Sequence, residues 1–205
     1  NCGNTVLTAE SFTGSLLWNT GETTNSITVS ATGTYTVTQT MNGCTSIAGI
    51  GTASPKIIPS SPTVIVGDNC GNSALTASDF TGSLLWSTGE TTASITVTTG
   101  GTYTVAQIVD GCAGALASGI AAPLVVPSAP IVAVTDNCGS SLLTASGYTG
   151  SLLWSTGETT ESITVTTGGT YTLTQTVNGC ESAAGSGLAE PINSVVATPT
   201  IVVAD

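Results

Sequence analysis

Residues 83–92 read SLLWSTGETT, and residues 151–160 repeat those ten letters without a change. At 15–24 the stretch recurs as SLLWNTGETT, with one residue different. Trp18, Trp86 and Trp154 are therefore 68 residues apart, and that interval marks a structural unit. Between 81–112 and 149–180, 27 of 32 positions are identical. A fixed period of this kind signals an array of like units and governs every later reading.

Outward from the decapeptide, the pattern is that of strands. SITVTTGGTYTLTQT at 162–176 alternates apolar residues with threonine, the period-two signature of a half-buried strand pair. Ile163, Val165, Tyr171 and Leu173 are expected to face inward, with Thr164, Thr166, Thr172 and Thr174 outward. Asn42-Gly43, Asp110-Gly111 and Asn178-Gly179 are two-residue hairpin signals. No window has helical periodicity, and short strands with frequent turn signals predict a β-sandwich. In the second unit, strands are expected near 63–66, 74–77, 83–88, 94–99 and 102–109, with one more after Cys112. TASPKIIPSSP (52–62) and AAPLVVPSAP (121–130) read as proline-stiffened linkers. The expected domains are 1–61, 62–129 and 130–198, with 199–205 as the first strand of a following repeat.

Composition narrows the functions. The chain has 12 acidic residues, Lys56 as its one basic residue, no histidine and a net charge of −11. Nucleic-acid binding needs cationic side chains to release counterions, and one lysine cannot supply them. An anionic membrane surface repels such a chain. The most apolar stretch, 119–134, is interrupted by Pro123, Pro127 and Pro130, so it does not read as a spanning helix. Neither a basic start nor an apolar core opens the chain, so no signal peptide is expected in it. The match of TIVVAD at the end to TVIVGD and IVAVTD inside is expected of a window cut from a longer array.

Each marked residue type has a structural and a functional reading. Trp18, Trp86 and Trp154 could be sugar-stacking platforms, but on the third strand beside two leucines they are expected in the core. Tyr35, Tyr103 and Tyr171 are expected to pack there too. Glu22, Glu90 and Glu158 in TGETT recur at one spacing, yet one carboxylate per unit cannot chelate calcium, which takes six to eight oxygens. Asp68, Asp136 and Asp205 could help at the junctions, but polar hairpin tips are the preferred reading and no metal or cofactor is expected. No histidine base and no recurring carboxylate pair is present, so an enzyme is not expected.

Cys2, Cys44, Cys70, Cys112, Cys138 and Cys180 are spaced 42, 26, 42, 26 and 42 residues apart. They lack C-x-x-C spacing, so disulfides are expected, one per repeat, in an oxidising compartment. The expected pairs lie within units: Cys2–Cys44, Cys70–Cys112 and Cys138–Cys180. The competing reading clamps neighbours through Cys44–Cys70 and Cys112–Cys138. The choice depends on strand count. Six alternating strands put both cysteines of a unit at one end, whereas a seventh at ETT puts them at opposite ends.

The combination NCG…LTAS…LLWSTGETT.SITVTTGGTYTVTQT.NGC resembles the Ig-like repeats of large cell-surface adhesins of Bacteroidota, closest to SprB-type gliding-motility adhesin repeats. The resemblance covers about residues 1–48, 68–116 and 136–184. It implies an all-β tandem array of three small Ig-like sandwiches, end to end, in a long extracellular filament. It also implies type IX export and surface gliding. Many relatives carry a second cysteine pair where this chain has Phe12, Phe80 and Tyr148 in one loop and Gln39, Gln107 and Gln175 on one strand. Antibody-type domains place a tyrosine two residues before the second cysteine, and here it lies nine before. The expected partners are neighbouring repeats and an unspecified surface or glycan target. A multivalent carbohydrate-binding array, with Phe12, Phe80 and Tyr148 as its exposed aromatics, is the alternative.

Overall fold

The computed structural model describes residues 1–193 and 198–202. Among them every regular element is a β-strand. Repeat 1 contributes β1 (Thr5–Thr8), β2 (Ser15–Trp18), β3 (Ser26–Val29), β4 (Gly33–Met41), β5 (Cys44–Thr45) and β6 (Gly49–Ala53). Repeat 2 adds a leading strand: β7 (Thr63–Asn69), β8 (Asn72–Ser78), β9 (Ser83–Trp86), β10 (Ser94–Val97), β11 (Gly101–Val109), β12 (Cys112–Ala113) and β13 (Ala117–Ala121). Repeat 3 copies it with β14 (Ile131–Asn137), β15 (Ser140–Ser146), β16 (Ser151–Trp154), β17 (Ser162–Val165), β18 (Gly169–Val177), β19 (Cys180–Glu181) and β20 (Gly185–Ala189).

Each full repeat is an Ig-like sandwich of two antiparallel sheets. In repeat 3 one sheet runs β14–β15–β17, and in the other β18 is flanked by β16, β19 and β20. Repeat 2 has the same two sheets, and repeat 1 the same without a leading strand. The segment after the second cysteine forms two short strands where one was expected. The start of the following repeat, expected at 199–205, has no strand at 199–202, and 203–205 lie outside the described residues.

The hairpin before each second cysteine follows from its residues. Asn42 and Gly43 have φ of 52° and 82°, Asp110 and Gly111 51° and 78°, and Asn178 and Gly179 50° and 82°. Two successive positive φ values make the turn whose twist matches the flanking strands, and Asn-Gly or Asp-Gly adopts it at least cost.

The TGETT segment is not a strand. Gly157, at φ 99°, turns the chain so that its N–H meets Trp154 O at 2.9 Å, and Trp154 N–H returns to Glu158 O at 2.9 Å. The backbone doubles back beside the tryptophan, and the indole Nε1–H donates to Thr160 O at 2.8 Å. Trp18 and Trp86 make the same bond to Thr24 and Thr92. Each indole thus buries its rings while its single polar atom is satisfied. Trp18, Trp86 and Trp154 are 4%, 2% and 1% exposed. In repeat 3, Trp154 clusters with Leu143, Leu152, Ile163, Val165 and Leu173, with Tyr171 against the edge. Tyr35 packs on the repeat 1 cluster, and its hydroxyl donates to Ala31 O at 3.0 Å. Tyr103 is half-buried at the same position of repeat 2.

The chain forms two compact units that do not follow the repeat boundaries. One comprises Asn1–Gly67, Ala74–Thr96 and Gly101–Ala121, and the other Asp68–Ser73, Val97–Gly100 and Ala122–Asp205.

Candidate functional site

The chemistry of this chain is concentrated where one repeat hands over to the next. In the first unit Cys2 is bonded to Cys112, and in the second Cys70 is bonded to Cys180. Each bridge spans 110 residues, with Cα atoms 5.5 Å apart. Cys44 and Cys138 are free and exposed. The within-repeat pairs Cys2–Cys44, Cys70–Cys112 and Cys138–Cys180 do not form, and neither do Cys44–Cys70 and Cys112–Cys138. The oxidation of all six cysteines, one bridge per repeat, is corrected to two bridges, each joining the first cysteine of one repeat to the second cysteine of the next.

Chain direction explains the correction. In repeat 1, Cys44 opens β5, and the chain runs through β6 to Lys56. There Lys56 N–H donates to Asn1 O at 3.0 Å and Lys56 O accepts from Gly3 N–H at 2.8 Å, clasping the residues on either side of Cys2. Cys2 and Cys44 thus sit at opposite ends of a repeat, separated by a run on the order of 25 Å at strand rise, far beyond disulfide reach. The reversal comes from TGETT, which sends the chain back along the sandwich without strand pairing.

The clasp recurs at every junction. Leu124 bonds Asn69 O and Gly71 N–H at 2.9 and 2.8 Å, and Ile192 bonds Asn137 O and Gly139 N–H at 2.9 and 3.1 Å. The linker residue that follows each sandwich is thereby stitched to the turn holding the first cysteine. In the first unit Lys56 goes further, its Nζ donating to Asp110 O at 2.6 Å in the hairpin that precedes Cys112. The single cation of the chain lies beside the bridge Cys2–Cys112.

The junction carboxylates hold backbone. Asp68 accepts from the Ser73 hydroxyl and from Ala122 N–H, and Asp136 accepts from the Ser141 hydroxyl and Glu190 N–H. The hydroxyl first and the amide second hold both carboxyls below the ordinary aspartate value. Glu158 is also lowered, by the Thr156 hydroxyl and its own N–H, so its carboxylate is engaged at its own hairpin tip. Among the described residues no three of His, Cys, Asp and Glu converge as metal ligands would.

Gln39, Gln107 and Gln175, noted in the sequence only for the absence of a cysteine, have a structural role. Gln107 Oε1 accepts from Thr81 and Gly82 N–H at 2.9 and 3.3 Å, fixing the loop before β9, while its Nε2 donates to Ser60 O at 2.7 Å in the linker. Gln175 does the same with Thr149, Gly150 and Ser128. The linker is thus tied to the repeat that follows as well as to the one before. Sequence periodicity marks these glutamines as invariant between the three copies, which was the available signal.

In repeat 1 the corresponding region is open. A groove of about 390 Å³ is lined by Leu7, Trp18, Val37, Gln39, Gly49 and Gly51. Of the aromatic residues considered for glycan stacking, Phe12 is 38% exposed on this groove, whereas Phe80 and Tyr148 are half-buried, Tyr148 against the core.

No family model matches the chain, and no curated protein does. Among solved structures, it is similar to one chain of the crystal structure of a mouse coronavirus receptor-binding domain complexed with its murine receptor, at 14% identity over 63% of this chain and 100% of that one, TM-score 0.32. A two-domain fibronectin type III segment of chicken tenascin matches at 12% identity over 62% and 97%, TM-score 0.29. The chicken interferon gamma receptor alpha chain matches at 11% identity over 66% and 100%, TM-score 0.30.

Proposed function

We propose that this chain is a run of stalk repeats from a long extracellular adhesin filament on a bacterial cell surface, with 1–61, 62–129 and 130–198 as its repeats. The carrying observation is the pair of bridges Cys2–Cys112 and Cys70–Cys180, which link successive repeats. A bridge from one repeat to the next does little for a catalytic or ligand site, but it resists separation of neighbours under tension. Disulfides persist in oxidising surroundings, which supports an extracellular location. No helix among the described residues is long and apolar enough to cross a membrane. Surface attachment, gliding and type IX export are the finer part of the proposal, and they rest on the likeness of NCG…LLWSTGETT…GTYTVTQT to Bacteroidota adhesin repeats.

Overlap of the two loops gives the reading a mechanical test. The shortest covalent path from Cys2 to Cys180 crosses both bridges and the 42-residue step from Cys70 to Cys112. Fully stretched, that path is ~150 Å, against ~600 Å for the reduced chain at the reach of an extended backbone. Single-molecule pulling on the oxidised protein is expected to stop at the shorter limit, and reductant to release the longer one. Equal extension of both forms would remove the support for a stalk.

A further inference from the structure

We propose that Asn178-Gly179 is a site of spontaneous deamidation and isoaspartate formation in the folded chain, and that Lys56 locks the corresponding peptide of repeat 2, Asp110-Gly111, against the same ring closure. The chemistry is the same whether or not the chain serves as a stalk.

The two turns share one geometry. Asn178 and Gly179 have φ of 50° and 82°, and Asp110 and Gly111 51° and 78°. All four residues are exposed. A Cβ placed on Gly179 or Gly111 would meet nothing within 4 Å, so no neighbour hems in either glycine. Two-residue hairpins take this type I′ form or the type II′ form, and the two differ by a flip of the central peptide. The flip keeps φ positive at the first residue and makes it negative at the glycine. Both forms close a hairpin, so the pairs Val177↔Cys180 and Val109↔Cys112 need not open for it. The flip also turns the glycine nitrogen towards the side-chain carbonyl carbon of the preceding residue, the approach that ring closure requires.

At Asn178 the reaction balances with water as its only co-reactant. Gly179 N bonds to Asn178 Cγ and gives up its proton, the bond from Cγ to the side-chain nitrogen breaks, and ammonia leaves. Water then opens the five-membered imide at either carbonyl. Opening at Cγ leaves an aspartyl residue, and opening at the main-chain carbonyl leaves an isoaspartyl link whose backbone runs through Cβ and Cγ. Asp110 shows that an aspartyl residue fits this turn. The isoaspartyl link instead adds a backbone atom to a two-residue loop beside the fully buried Cys180, where Cys70 Sγ lies 3.9 Å from Gly179 O. At Asp110 the same closure expels water in place of ammonia.

The turns differ in what holds the peptide that must flip. Lys56 Nζ donates to Asp110 O at 2.6 Å, and that oxygen belongs to the peptide joining Asp110 to Gly111. A charged donor on the carbonyl resists its rotation. In the second unit Leu124 stands where Lys56 stands in the first, clasping the turn of Cys70 as Lys56 clasps that of Cys2. Its side chain has no donor to offer Asn178 O. The same hairpin is therefore locked in repeat 2 and free to flip in repeat 3.

The test is prolonged incubation of the whole oxidised chain in neutral buffer, beside the same chain held in denaturant. Peptide mass spectrometry then scores amide loss at 178, and enzymatic methylation scores isoaspartyl groups at 110 and 178, each site being compared with itself in the denatured chain. In the folded chain Asn178 is expected to lose its amide and to yield isoaspartate. Asp110 is expected to stay at least about tenfold below its denatured rate, the weight of one hydrogen bond to a charged group. Lys56→Met should release Asp110 by about that factor and leave the rate at Asn178 unchanged, whereas Lys56→Arg, which keeps a charged donor, should hold the lock. An Asn178 that keeps its amide when folded and loses it when denatured would overturn the site. Equal isoaspartate at Asp110 in Lys56→Met and the native sequence would overturn the lock, and so would a rise at Asp110 matched by one at Asn178, which marks unfolding.

Discussion

Repeats 1 and 3 share most of their sequence, yet one core is half open and the other closed. Leu143, Ala145 and Leu173 are 0–1% exposed in repeat 3, while Leu7, Ala9 and Val37 at the same positions of repeat 1 are half-buried. The repeat 3 cluster holds eight buried residues and that of repeat 1 four. The difference lies in what covers the sandwich, namely the leading strand β14 with its two valines and the linker carbonyl that engages Gln175. A unit of this size buries only about 60% of its unfolded surface, so one strand decides whether its core is sealed. The repeat as a folding unit therefore includes the chain that leads into it.

The largest break in this comparison is expected from the tryptophans. Trp154→Ala should cost about 3–5 kcal/mol, the range for truncating a buried aromatic. Trp18→Ala should cost less, because its surroundings already open onto the groove. Hydrogen exchange resolved by repeat would show which unit loses protection, and equal losses would contradict the closed-against-open contrast. Next come the glycines under the leading strand. Gly187→Ala must displace Val132 and Val134 and is expected to lose about 1–3 kcal/mol by overpacking, whereas Gly51→Ala should be tolerated, as denaturant midpoints can show.

A smaller contrast is expected for the glutamines. Gln175→Ala leaves two N–H groups and the Ser128 carbonyl without their partner and should cost about 1–3 kcal/mol. Gln39→Ala has fewer bonds to lose and should cost less. The smallest effect concerns acid. The folded pKa of Asp136 is depressed, so its contribution is present above the unfolded value of about 3.9 and fades as pH falls through the folded one. Repeat 3 should therefore weaken as pH falls through that range, and Asp136→Asn should remove part of that sensitivity. An identical acid response in that variant would show that the bonds of Asp136 to Ser141 and Glu190 do not stabilise repeat 3.

Strands, hairpins and core were legible because they are written in local patterns. The alternation at 162–176 gave the burial of Ile163, Val165 and Leu173, and Asn-Gly gave the turns. Cysteine pairing was not legible because it depends on which end of a sandwich each turn occupies. That was set by TGETT, which reverses the chain with one glycine turn and a bond from Trp154 to Glu158 and has no strand alternation. The linker was equally opaque. Lys56, Leu124 and Ile192 are unlike in chemistry, and what they share is a backbone clasp that any side chain permits.

Disulfide mapping of the oxidised chain separates bridges between successive repeats from bridges within them. An Asp or Glu separates every successive pair of cysteines, so cleavage at acidic residues places all six in different peptides. Pairing between successive repeats predicts Cys2 linked to Cys112 and Cys70 linked to Cys180, with neither Cys44 nor Cys138 bonded to the other cysteine of its own repeat. Recovery of Cys2–Cys44, Cys70–Cys112 and Cys138–Cys180 would contradict it.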